Sequence, residues 1–175
     1  MVHPELADEI DPLMAIAQNA SRRLRPTIME LNLSMAEPSL RATVKESAAM
    51  LRTRSMVLNA EMVADIDQLL SWKALLTASL FVREAATNAL KYGQASTAVE
   101  LYVDLEGSEV ALMMNNQIGT EPINQTFRGG FGIANLRSRI ESEGGCMSFA
   151  STGSRWVINA TIPNRKASIE GDADE

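Results

Sequence analysis

Glu84, Asn88 and Lys91 stand at i, i+4 and i+7 in the run Phe81 to Gly93. On an α-helix that spacing puts all three in one column. At about 100° per residue, Leu75, Ala78, Val82, Ala86 and Ala89 share the opposite face. A helix in a sheet protein presents its apolar face to the sheet, so the other face here carries an acid, an amide and an ammonium together. Taken alone, the column also reads as a solvated face with one i, i+7 charge pair.

A second stretch narrows that choice. Arg128-Gly129-Gly130-Phe131-Gly132-Ile133-Ala134 is a glycine-rich loop running into a helix. Glycines let the backbone approach a ligand closely, and a helix N-terminus favours anions. A lone Gly-x-Gly usually marks a plain loop. Following an acid-amide-base column and opening a helix, it points to the binding of an anionic ligand.

Composition excludes several other chemistries. The only histidine is His3, which argues against His-based zinc sites and a buried Ser-His-Asp triad. The single cysteine, Cys146, excludes an internal disulfide, fits a reducing compartment and is expected as a buried structural thiol. Net charge is −6, with a pI of about 4.9, against a nucleic-acid binder that needs a basic surface. A polyanion would have to be held by a local positive pocket. No apolar run approaches the roughly 20 residues that span a bilayer. The polar, acidic first residues predict no signal peptide.

The column needs a helix from Ser71, an N-cap, to Gly93, a C′ residue. Period-two alternation then predicts strands at 97–104 and 110–114, with Glu106-Gly107-Ser108 as the turn between them. A loop runs from Gln117 to about Gly129, long enough to act as a lid. A helix is expected from Gly132 to Glu143, then strands at 147–150 and 156–162. The strand pairs read as hairpins, so the sheet is antiparallel or mixed. With two helices on one face the class is α+β, a two-layer sandwich. The tail 164–175 reads as disordered.

Before this domain the reading is a long helical hairpin, residues 1–67. Apolar residues recur every three or four positions from Leu6 to Leu31, with Pro26 as a kink. A second helix is expected from Pro38 to about Asp67, carrying Leu40, Val44, Ser47, Leu51, Leu58, Met62 and Ile66 on one stripe. Each helix of about 30 residues would be roughly 45 Å long. Part of the stripe would stay wet in an isolated hairpin, so a homodimer through a four-helix bundle is expected. Packing of the hairpin on its own chain is the alternative. The methionines gathered here, from Met14 to Met62, read as ordinary core filling.

The segment from about Ser71 to Pro163 resembles the ATP-binding domain of the GHKL ATPases. Within that group it is most similar to sensor histidine kinases that pair with NarL-type response regulators. The run Arg83 to Gly93 resembles the family's N box. Gly129 to Gly145 is similar to its second glycine box and following helix, and Gly153-Ser154-Arg155 resembles its closing Gly-Thr motif. The match covers a little over half the chain. It implies that Asn88 ligates Mg²⁺ bridging the phosphates of ATP and that Glu84 is the polar or general-base partner. Lys91 would neutralise phosphate charge, and an amide oxygen suits hard Mg²⁺. Gly130, Gly132 and the backbone of Ile133 and Ala134 would cradle phosphates, and Ser154 would stand by the adenine. Tyr92, Gly119 and Arg128 are further nucleotide-binding positions carried by the same motifs.

Two stretches depart from the family pattern. The first glycine box, Asp-x-Gly-x-Gly, corresponds to Asn115-Asn116-Gln117-Ile118-Gly119. Asn115 takes the place of the Asp that accepts from the adenine amino group, so charge assistance is lost. The hairpin resembles the family's dimerisation and phosphoacceptor hairpin only weakly. Asp8-Glu9-Ile10-Asp11-Pro12-Leu13 occupies the similar stretch without a histidine.

The resemblance therefore implies the cytoplasmic catalytic core of a two-component sensor histidine kinase, using ATP and Mg²⁺. Its partners would be a second copy and a response regulator, and a membrane sensor upstream is compatible with it. An ATP-sensing dimerisation module, a degenerate kinase, is the alternative outside enzymes. A serine kinase acting on an anti-sigma antagonist is the alternative within them.

Overall fold

The computed structural model describes residues 38–120 and 131–165. The compact unit that holds all the described elements begins at Ser39. Its elements are α1 (Leu40–Arg52), β1 (Val57–Met62), α2 (Ile66–Leu69), α3 (Trp72–Tyr92), β2 (Ala98–Glu106), β3 (Glu109–Gln117), α4 (Phe131–Ser142), β4 (Cys146–Thr152) and β5 (Arg155–Pro163).

The five strands form one mixed sheet in the order β1-β2-β3-β5-β4. β1 runs parallel to β2, and the other pairs are antiparallel. Alternation on the strands gives one apolar face. Val99, Leu101 and Val103 of β2, Val110, Leu112 and Met114 of β3, and Ile158, Ala160 and Ile162 of β5 are all buried. That face meets α1, α3 and α4, so the architecture is the expected two-layer α+β sandwich. Hairpin turns fall where the sequence put them. Gly107 and Gly153 both take a left-handed φ of 60°.

The second helix of the expected hairpin is corrected. It stops at Arg52, and Ser55 turns the chain with φ 57°. Residues 57–62 then become an edge strand, with Val57 opposite Ala98 and Met62 opposite Val103. Leu58 and Met62 keep helical spacing in the sequence. Their strand partners lie about forty residues further on, and that long-range pairing overrides local periodicity. The start of α1 is doubly capped. The Ser39 hydroxyl accepts from Ala42 N at 3.0 Å, and the Asp67 carboxylate accepts from Leu40 N at 2.8 Å. Ser39 Oγ also donates to Asp67 at 2.7 Å. The stripe Leu40, Val44, Ser47 and Leu51 is buried in this domain's own core, packed toward α3. The hairpin's first helix and residues 166–175 of the tail, read as disordered from the sequence, lie outside the described residues. Asn164, placed in that tail from the sequence, is anchored. Its Oδ1 accepts from Ser71 N at 2.7 Å, and its N–H donates to Ser108 O at 2.7 Å.

Cys146 is also corrected. It is exposed at the start of β4, on the sheet face away from the helices, with Sγ 2.7 Å from Thr161 Oγ1. Only Met147 of that strand is buried.

Candidate functional site

α3 forms as its sequence demands. The Ser71 side chain accepts from Ala74 N, and the apolar positions Leu75, Ala78, Val82, Ala86 and Ala89 are buried. Neighbouring helices take its two flanks. Arg83 reaches Glu46 of α1 at 3.1 Å, whereas Thr77 donates to Glu143, beyond the end of α4, at 2.9 Å. The Glu84 column lies on the α4 side. It is not a simple solvated face, because Glu84 is half-buried against Gly132 of α4. A Cβ on Gly132 would meet both carboxylate oxygens of Glu84, Oε2 at 2.8 Å and Oε1 closer.

Burial raises the Glu84 pKa above the usual carboxylate value. The Lys91 charge and the Asn88 amide pull it back. Asn88 sits close enough for that pull, yet its Nδ2 is buried without a hydrogen-bond partner of good geometry among the described residues. A buried amide donor left unpaired is unfavourable unless something else accepts from it. Lys91 is exposed beyond it. Among the described residues no group of three or more His, Cys, Asp or Glu could hold a metal ion. A cation at Asn88 would therefore take its other ligands from phosphate and water, as Mg²⁺ commonly does.

The end of α3 is tied to two other elements. Gly119 N donates to Tyr92 O at 2.8 Å, Gln94 N to Gln117 O at 2.9 Å, and Ile118 N to Ser154 O at 2.7 Å. Tyr92, Gly119 and Ser154 are thus brought together through their backbones, and the Ser154 side chain stays exposed. Gly93 ends the helix with an extended backbone, φ −77°. The residue must be glycine for space rather than for conformation. A Cβ there would meet Met56 Cε at 2.8 Å and Asn116 Nδ2 at 3.0 Å, besides the Ala89 carbonyl.

Asn115 is not brought to this site. It points to the sheet's open face and accepts from Arg155 Nη1 at 2.8 Å. Asn116 lies on the helix side instead, 4 % exposed, with Oδ1 unpaired. The strand's own alternation could have found it, because Asn116 is in phase with Val110, Leu112 and Met114. Gly132 and Ile133 are partly buried at the start of α4, and Ala134 is exposed. Arg128, Gly130 and most of the expected lid lie outside the described residues. The Asn88 amide, unpaired at Nδ2 beside the Glu84 carboxyl, is a described group here that lacks a partner and could meet a ligand.

No protein-family model matches the chain, and no curated protein sequence matches it. Solved structures do. The histidine kinase AdeS of Acinetobacter baumannii aligns over 95 % of this chain and 87 % of its own, with TM-score 0.56 and 13 % identity. The catalytic domain of histidine kinase ThkA, nucleotide-free, aligns over 71 % of this chain and 90 % of its own, with TM-score 0.56 and 15 % identity. Full-length ShkA in complex with AMPPNP has TM-score 0.57 and 16 % identity. That alignment covers 73 % of this chain and 30 % of ShkA. At these identities the likeness is one of fold. The chain has the architecture of histidine kinase catalytic domains, and no described helix is long and apolar enough to cross a membrane.

Proposed function

We propose that this chain binds Mg-ATP between α3 and α4, as the catalytic core of a two-component sensor histidine kinase. One observation carries the reading. The Glu84–Asn88 column is turned toward Gly132 at the start of a second helix, where an amide donor unpaired among the described residues lies beside a raised, half-buried carboxyl. Asn88 would hold the cation and a phosphate oxygen, Lys91 would neutralise phosphate charge, and Gly132 leaves room for the Glu84 carboxylate against the start of α4. Mg²⁺, when bound, would offset and orient phosphate charge. Glu84, protonated more readily than an ordinary glutamate, is placed to accept or return a proton beside the transferring group. Such a site works chiefly by positioning and electrostatics.

Partners follow from the same reading. A response regulator, of the NarL type by sequence resemblance, would receive the phosphoryl group. A second copy would associate through residues N-terminal to Ser39, since the α1 stripe is buried within this domain. The absence of a histidine from residues 8–13 supports a variant of the reading, in which the chain senses ATP without labelling itself.

Calorimetric titration of Mg-ADP into wild type and Asn88→Ala tests the proposal. Wild type should bind with a Mg²⁺-dependent affinity, and the variant should lose that dependence. Equal Mg²⁺-dependent binding by both would remove Asn88 from the metal site.

A further inference from the structure

β4 is an edge strand, and among the described elements it pairs with β5 alone. Its outer edge offers N–H and C=O groups to a further strand. Natural edge strands are commonly blunted by charge or proline. β1, at the opposite edge, carries Glu61. β4 reads Cys-Met-Ser-Phe-Ala-Ser-Thr and has neither. All of its residues except Met147 are exposed, Phe149 at 48 %.

Phe149 stands opposite the fully buried Ile158, so its ring lies on the helix-facing side of the sheet. It is also the middle residue of the strand. A two-fold axis at Phe149 therefore pairs the whole of β4 with a second β4 running antiparallel. In that register Phe149 meets its twin, Met147 meets Ser151, Ser148 meets Ala150, and Cys146 meets Thr152. No charge faces another along the seam, and the exposed aromatic gains an aromatic partner. A second copy thus brings a strand matched to this edge on both faces.

We propose that β4 is a self-association edge, through which two copies of the chain join antiparallel about Phe149 and continue one sheet into the other. A seam of one strand pair is smaller than the roughly 1,200 Å² of a stable stand-alone interface, so the contact is weak and reversible. It is separate from the association proposed through residues N-terminal to Ser39, and it needs no nucleotide.

The test is oxidative cross-linking of the full chain, read on a non-reducing gel. Cys146 is the only cysteine and is exposed. Thr152→Cys puts a thiol opposite Cys146 of the other copy. Cross-strand Cα atoms lie about 4.5–5.5 Å apart, within the reach of a disulfide. Along one strand the same two positions are about 20 Å apart, too far to join. Most of the Thr152→Cys chain should run as a covalent dimer. Wild type and Ala150→Cys, which offers a thiol on the same face out of register, should run as monomer. Adding Phe149→Lys or Ala150→Lys to Thr152→Cys should remove the dimer, with circular dichroism to check folding. The comparison of registers needs neither lysine variant. Equal cross-linking of wild type, Thr152→Cys and Ala150→Cys would reveal random collision and overturn the proposal. So would a dimer that survives both lysines. A monomeric Thr152→Cys chain would overturn it too, and leave the edge to an extended segment of a different protein.

Discussion

The Glu84 carboxylate and the Cα of Gly132 are in direct contact across the α3–α4 interface, with no room for a side chain at position 132. Residues 48 positions apart in the sequence thus meet in one close contact between α3 and α4. Gly132→Ala should force Glu84 aside. The expected loss in stability is at most about 1 kcal/mol, the low end for an overpacked contact, because the crowding atoms are the far end of a flexible side chain, and nucleotide binding should weaken. Because the crowding atoms belong to one side chain, Glu84→Ala should restore much of the stability lost by Gly132→Ala. Chemical denaturation of the two single variants and the double variant measures the coupling. Additive losses would show that the contact is not the source.

Burial sets the pH dependence expected of Glu84. Its pKa in the folded chain is raised above the ordinary 4.5. Between that value and the raised one, the folded chain holds a proton that the unfolded chain has released. Stability from this group is therefore full below the unfolded pKa. It declines as pH rises through the window and levels off above the folded pKa. Glu84→Gln should flatten that part of the profile and gain relative stability toward neutral pH. Thermal unfolding of both proteins from pH 4 to pH 8 would show it. Parallel profiles would mean that Glu84 titrates normally.

Much of this was legible in the residues because the signals were local. Ser71 as a cap, the apolar face of α3, and the hairpin joining β2 to β3 each follow from a few neighbouring positions. The column's orientation was not legible, since only the packing of α4 shows that Glu84 faces Gly132. β1 was missed because its partner strand is distant and parallel, while Leu51, Leu58 and Met62 happen to keep helical spacing. Resemblance to the family's first glycine box points to Asn115. The pleat of β3 argues the other way, and the pleat decides which amide reaches the helix layer.

The corrected course of residues 39–62 has its own consequence. Leu51 is fully buried within the domain, beneath the chain that turns into β1. Leu51→Ala should cost about 2–5 kcal/mol, the range for truncating a buried leucine. Leu51→Glu should unfold the domain rather than dissociate a dimer of intact domains, since a buried unpaired carboxylate is strongly unfavourable. Circular dichroism with sedimentation separates the two outcomes. A Leu51→Glu chain that is fully folded but monomeric would return this residue to a subunit interface.

The last prediction concerns phosphoryl transfer within the chain. His3 is the only histidine of the sequence, and it lies outside the stretch similar to the family's acceptor segment. An acceptor must be held within about 3–3.5 Å of the γ-phosphate for attack. The stretch similar to the family's acceptor segment offers Ile10, which has no nucleophile, and Asp11. Wild type is therefore expected to bind Mg-ATP yet give no acid-labile, base-stable label from γ-labelled ATP. Ile10→His would place an imidazole beside Asp11, which could orient it as a general-base partner does. Asp11→His tests the other register. Label in one of these variants, absent again when Asn88→Ala is added, would tie the transfer to the α3–α4 cleft. Strong label in wild type that disappears in His3→Ala would instead make His3 the acceptor.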